Sequence, residues 1–189
     1  MEHKVIKLTV FLLLVTGISG LAIGYVNGIT APAIEIQKEE SLRQGYREVY
    51  PDGDEYAILD YDGSDSVITG LVVARRAGAD SGAIYTVSPK GYGGAVELLV
   101  GFDLAANRIS GVKILTQSET PGLGANCSQP WFADRFLGKS AEGALALVKT
   151  AAQGDNQVQA ITAATVTSTA VVDGVNAARA DFASRYGGR

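Results

Sequence analysis

From Leu8 to Ile34 the chain carries no charged side chain. A run of about 27 uncharged, mostly apolar residues, rising about 1.5 Å each as a helix, is long enough to cross a hydrocarbon layer about 30 Å thick with some tilt. A helix apolar on every side belongs either in a large protein core or in lipid, and a chain of 189 residues has material for one core of ordinary size. A secretory signal peptide is the competing reading, because Lys4 and Lys7 precede the run and small residues interrupt it at "GISG". Signal cores are shorter, however, and "LAIGYVNGIT" continues without a small-x-small cleavage site, so residues 1–34 read as a cytoplasmic tail and a single-pass anchor in membrane lipid. Lys4 and Lys7 flank the anchor on one side, whereas Lys38 on the other shares its segment with Glu35, Glu39 and Glu40. This asymmetry predicts a cytoplasmic N-terminus and an extracytoplasmic remainder in the cell (inner) membrane.

Beyond the anchor, Leu42, Tyr46 and Val49 recur at helical spacing up to Pro51, which predicts a stalk helix over 35–50 and leaves 51–189 as one folded domain. "SVITGLVVARR", "GAIYTVS", "AVELLVGFD" and "RISGVKILTQ" are short, rich in β-branched residues and separated by turns, as in a mainly antiparallel sheet. "SQPWFADRFLGKS" predicts a short helix with Ser128 as N-cap, Pro130 in the first turn and Gly138 as the stop. "ALALVKT" and "QVQAIT" read as two further strands around "QGDN". A last helix from about Ser168 to Tyr186 presents Val171, Val175, Ala178 and Phe182 on one face. The fold class expected is therefore α+β: one transmembrane helix followed by an antiparallel-sheet domain with flanking helices.

Composition removes several functions. A formal net charge of −4 opposes a nucleic-acid partner, which needs a basic stripe to neutralise phosphates. With Cys127 as its one cysteine, the chain cannot by itself close a disulfide or supply a thiolate zinc or iron–sulfur site, and its one histidine, His3, lies in the N-terminal tail. Redox chemistry in such a chain has to come from a cofactor. "DYDGSDS" has an acidic spacing but not the glycine and terminal glutamate of a calcium loop, and reads as a solvated turn. "GYGGAV" lacks the third glycine of a dinucleotide fingerprint and precedes a strand, not a helix, which argues against that fold.

Two stretches remain. In "SETPGLGANCS", Pro121, Gly122 and Gly124 shape a tight loop at the end of a strand beside Glu119 and Thr120, either a plain polar turn or a rigid loop offering close backbone to a flat ligand; Cys127 there reads as a packed thiol. "ITAATVTSTAVV" gathers hydroxyls just before the last helix, with Thr167 and Ser168 at candidate N-cap positions. Backbone N–H groups and the positive end of the helix dipole converge at such a place, which suits a phosphate, although a threonine-rich cap with no ligand has the same composition.

"TAATVTS" resembles the [Ser/Thr]-Gly-Ala-Thr-x-[Ser/Thr]-Ser flavinylation motif of the FMN-binding-domain family, and "GYGGAVELLVGFD", "ISGVKILTQSETPGLGA", "WFADRFLGKS" and "GYVNGITAPAI" follow the order found in the G subunit of Rnf ion-translocating electron-transport complexes. The C subunit of the sodium-pumping NADH:quinone reductase is a more distant resemblance. The resemblance implies a redox subunit of a ferredoxin:NAD⁺ oxidoreductase complex, carrying FMN in phosphoester linkage to Thr165. It further implies that Glu119, Thr120, Gly122, Leu123, Gly124, Thr162, Ala163, Ala164, Thr167 and Ser168 surround the cofactor, with a "GYGG" strand supporting that side. The partners it implies are the D subunit, itself flavinylated, the A and E membrane subunits, and a flavin transferase during maturation. Gln159 stands where the motif is usually preceded by aspartate, and Ala163 where it has glycine. The alternatives are the quinone-reductase protein and a flavin-free anchored scaffold.

Overall fold

A computed structural model describes residues 2–63 and 65–187 and divides into two compact units between Ser41 and Leu42. Helix α1, Glu2–Val49, contributes its first 40 residues to the first unit. Most of the large apolar side chains there, Leu12, Leu13, Ile18 and Leu21 among them, are more than half exposed, and this helix is long and apolar enough to cross a membrane. Its threonine hydroxyls are satisfied within the helix: Thr9, Thr16 and Thr30 donate to the carbonyls of Val5, Leu12 and Val26 one turn back. That arrangement suits lipid, where water is absent as an alternative partner.

The second unit is built on an antiparallel meander of β1 (Glu55–Leu59), β2 (Ile68–Arg76), β3 (Ala79–Val87), β4 (Glu97–Asp103) and β5 (Arg108–Thr116), in that spatial order. Alternate residues divide between two cores, as the two-residue strand period requires. Leu71, Tyr85, Leu98, Val100 and Phe102 face one side, where helix α3 (Thr165–Tyr186) lays down Val171, Val175, Ala178 and Phe182. Val72, Ala74, Ile84 and Leu99 face the other, where Tyr46, Val49 and Tyr50 cover them. Because β3 and β4 are buried on both sides, they read as nearly unbroken apolar runs. β1, at the edge and mostly exposed, is absent from the strands expected above: its "EYAIL" has no buried face to impose alternation.

The end of α1 sits in a notch made by glycine. Gly101 and Gly111 are register partners on β4 and β5, and a Cβ on Gly111 would stand 2.8 Å from Val49 Cα and 2.9 Å from its carbonyl oxygen. Ser110 closes the contact by donating to that carbonyl at 2.7 Å. Since the obstacle is backbone, Gly111→Ala is expected to destabilise the domain by about 2 kcal/mol, read as a lower thermal midpoint of the full-length chain in detergent.

The predicted 128–140 helix is shorter than expected. A 3₁₀ turn over Gly124–Ser128 precedes α2, which spans only Pro130–Ala133 and has Gln129, not Ser128, at its N-cap. Beyond it the chain advances by i→i−3 bonds, Arg135 N–H to Phe132 O and Phe136 N–H to Ala133 O, until Gly138 at φ +73°. Phe132 and Phe136, fully buried and edge-to-face at 5.6 Å, pin this segment to the α3-side core. The strands β6 (Ala146–Val148) and β7 (Gln157–Gln159) form a separate parallel pair, and β7 leads into α3.

Candidate functional site

The last helix begins at Thr165, three residues earlier than its sequence indicates. The N-cap is Ala164, with no side-chain cap bond, so Thr167 and Ser168 are first-turn residues and not caps. Their hydroxyls are engaged elsewhere. Ser168 Oγ accepts from Ile161 N–H and donates to Ala164 O, both at 2.9 Å, stitching the preceding loop to the helix. Thr167 donates to Glu119 Oε2 at 2.5 Å. The first intrahelical bond runs from Ser168 N–H to Ala164 O, which leaves the N–H groups of Thr165, Val166 and Thr167 without an intrahelical acceptor. Thr165 is exposed, and among the described residues its hydroxyl has no protein partner.

Ala163 has φ +61°, in the left-handed region where an L-residue other than glycine is strained. This is where the motif it resembles has glycine. Ala163→Gly is expected to stabilise the domain by about 0.5–1 kcal/mol, the relieved strain exceeding the added unfolded-state entropy. A chemical denaturation midpoint checks it; a lower midpoint would contradict the strain.

Three segments meet at this helix end around a cavity of about 510 Å³, lined by Tyr92, Glu119, Thr120, Leu123, Gly124 and residues 163–167. Thr162 is exposed in the loop before Ala163, Ser168 lies beneath the floor, and Gly122 shapes the loop at φ +77° without lining the cavity. "GYGG" is not a strand but a tight turn, closed by Gly91 N–H to Gly94 O at 2.7 Å; Gly93 lets it press against the 118–119 backbone, and Gly91 leaves room for the Glu119 carboxylate. The turn holds Tyr92 out over the cavity, three-quarters exposed. Sequence reasoning missed Tyr92; its signal was a single aromatic residue among glycines.

Glu119 is 6% exposed and is the one charged group in the lining. Oε1 accepts from Gly93 N–H at 2.9 Å while Oε2 accepts from Thr167. Gly124 is glycine for a packing reason, since a Cβ there would lie 2.5 Å from both Glu119 Oε2 and Thr167 Oγ1. Cys127, next along the loop, is fully buried in the core, and burial pushes its thiol up, as a packed and inert cysteine requires.

Comparison with known proteins places these residues in a family. The chain is 33% identical over 185 residues to the G subunit of the Na⁺-translocating ferredoxin:NAD⁺ oxidoreductase complex of Acetobacterium woodii, covering 91% of this chain and 88% of that one. It belongs to this G-subunit family. The G subunit of the proton-translocating ferredoxin:NAD⁺ oxidoreductase complex of Clostridium ljungdahlii is 30% identical over the whole chain and 97% of its own length. Residues 91–180 match the FMN-binding domain, a span that opens on the Gly91 turn and contains every residue lining the cavity. Among solved structures, the C subunit of the Na⁺-translocating NADH-quinone reductase of Parabacteroides distasonis superposes with a TM-score of 0.62 at 22% identity, over 80% of this chain and 94% of that one. The G-subunit family and that reductase protein thus share an architecture.

Proposed function

We propose that the chain is the electron-carrying G subunit of an ion-translocating ferredoxin:NAD⁺ oxidoreductase complex, and that its FMN is esterified through phosphate to Thr165. The observation that carries the attachment is the state of Thr165: an exposed, unpartnered hydroxyl as first residue of α3, beside three N–H groups outside the helical ladder. Those donors and the helix dipole suit the singly charged phosphodiester that such a linkage creates. The cavity beside them is of ligand size, and Tyr92, Leu123, Val166, Ala163 and Ala164 give it the apolar walls a flat ring needs. The residues present therefore fit FMN.

When bound, FMN supplies the electron transfer that no side chain of this protein provides. The chain's own part is to hold and orient. Thr165 would hold the FMN phosphate in ester linkage through its Oγ, with a flavin transferase supplying the flavin. The N–H groups of Thr165, Val166 and Thr167 bind the phosphate oxygens, and Thr120, Leu123 and Tyr92 bound the space for the ring. Residues 1–34 act as cytoplasmic tail and anchor, 35–50 as a connecting helix and 51–189 as the FMN domain, on the extracytoplasmic side in keeping with Lys4 and Lys7. The D, A and E subunits are its neighbours, and the protein works as one redox component of the complex, not as an enzyme alone. The full-length likeness to G subunits from two organisms favours this reading over the quinone-reductase protein, whose likeness is one of fold.

Purification of the complex from membranes through a tag on this chain tests the assignment. Co-purifying D, A and E subunits, with a fluorescent band at this chain's mass on a denaturing gel, are expected. A non-fluorescent chain in the same complex would instead identify the flavin-free scaffold.

A further inference from the structure

We propose that Glu119 is a positioning residue for flavin attachment: a clasp that sets the first turn of α3, and with it Thr165, against the opposite wall of the cavity, and not a group that touches the ring. The proposal rests on the reading of Thr165 as the flavin-bearing residue. Both carboxylate oxygens are already used by the protein, one by Gly93 N–H at 2.9 Å and the other by Thr167 Oγ at 2.5 Å, across 26 and 48 residues of chain. Acceptor and hydroxyl donor are both inside, Glu119 at 6% and Thr167 at 2% exposure. A charge so buried is held by its donors, and each donor it loses is costly.

The surrounding chain is shaped to admit this one side chain. A Cβ on Gly91 would run into Glu119 Oε1, and a Cβ on Gly124 would meet Oε2 at 2.5 Å and Glu119 Cβ at 2.9 Å. Glycines from two loops thus leave room for a carboxylate whose bonds join the Gly91–Gly94 turn to the helix start. The direction of the Thr167 bond has a further consequence. Its only proton is given to Glu119, so Thr167 has no hydroxyl hydrogen to offer a phosphate, and backbone N–H groups supply the phosphate donors.

A glutamine at this position preserves the clasp with one proton reversed: its carbonyl accepts from Gly93 and its amide donates to Thr167 Oγ. Leucine fills much of the same volume and makes neither bond. The test uses the full-length chain co-expressed with a flavin transferase and purified in detergent, with covalent flavin per chain read by fluorescence after denaturation and the thermal midpoint read beside it. Glu119→Gln is expected to label close to wild type. Glu119→Leu and Thr167→Val are each expected to lower labelling about tenfold, the scale of a lost bond to a buried charge, and Thr167→Ser to restore it. The Glu119→Leu/Thr167→Val pair is expected to label no worse than either single variant, because both break one unit.

A purely structural role would lower the thermal midpoint of Thr167→Val while leaving the labelling of its folded fraction at wild-type level, and that result overturns the proposal. Losses that multiply in the double variant overturn it as well. Where Glu119→Leu does not accumulate, Thr167→Val against Thr167→Ser decides alone. A wild-type chain without covalent flavin removes the reading beneath the proposal and the proposal with it; a labelled wild type beside a fully labelled Thr167→Val removes the proposal only.

Discussion

Thr165→Ala is expected to leave the chain with no covalent flavin, a loss to background and not a reduction. The reason lies in what its neighbours are already doing. Thr167 is 2% exposed with its hydroxyl given to Glu119, and Ser168 is fully buried with its hydroxyl bonded on both sides. Neither can reach a transferase without unmaking the start of α3. Thr162 is exposed but belongs to the loop before Ala163, and Thr169 is exposed one helical turn further on, where its N–H is inside the ladder. Among the described residues of the motif, Thr165 is the one whose exposed, unpartnered hydroxyl opens a helix, beside N–H groups left outside its ladder. Thr162→Ala and Thr169→Ala are therefore expected to retain a fluorescent band on a denaturing gel, against none for Thr165→Ala. A Thr165→Ala chain labelled like wild type would mean that attachment lies elsewhere.

Gly93→Ala is expected to produce the largest stability loss of any single methyl added to the site, about 3 kcal/mol. A Cβ on Gly93 would collide with the backbone oxygen of Ser118, and Glu119 Cα is within 3.4 Å of the same point. A flexible side chain could rotate away; a peptide carbonyl at a strand end cannot, so the turn itself must move. Its movement would take Gly93 N–H from Glu119 Oε1 and leave a buried carboxylate short of a donor, which adds to the steric cost. Tyr92 would be displaced with the turn. The expected readout is a lower chemical denaturation midpoint together with a changed visible circular dichroism of the flavin. Gly94→Ala is the control, because a Cβ there would meet only Ser118 Cβ at an ordinary 3.8 Å.

What can be read from the sequence follows from how each element is held. β2 to β5 are legible because β-branched residues between glycine turns have few other uses, and α3 is legible from Val171, Val175, Ala178 and Phe182, all buried on one face. β1 is not, since an exposed edge strand has no alternation to read. The start of α3 is misplaced for a chemical reason: Thr167 and Ser168 have the side chains that cap helices, but theirs bond to Glu119 and to the 161–164 backbone, while an alanine occupies the cap. The loop "ETPGLG" and the motif "TAATVTS" are each visible alone. The resemblance brings them to one site, but the bond between Glu119 and Thr167 that joins them is not visible, because it spans 48 residues and leaves no periodicity in the sequence.

The attachment of FMN to Thr165 is tested most directly by peptide mass spectrometry of the chain taken from its native membrane. The proteolytic peptide containing Thr165 is expected to carry the mass of FMN less one water, with fragment ions confining the addition to Thr165. An unmodified peptide from a complex whose flavin is lost on denaturation, or an addition confined to any other residue, would contradict it.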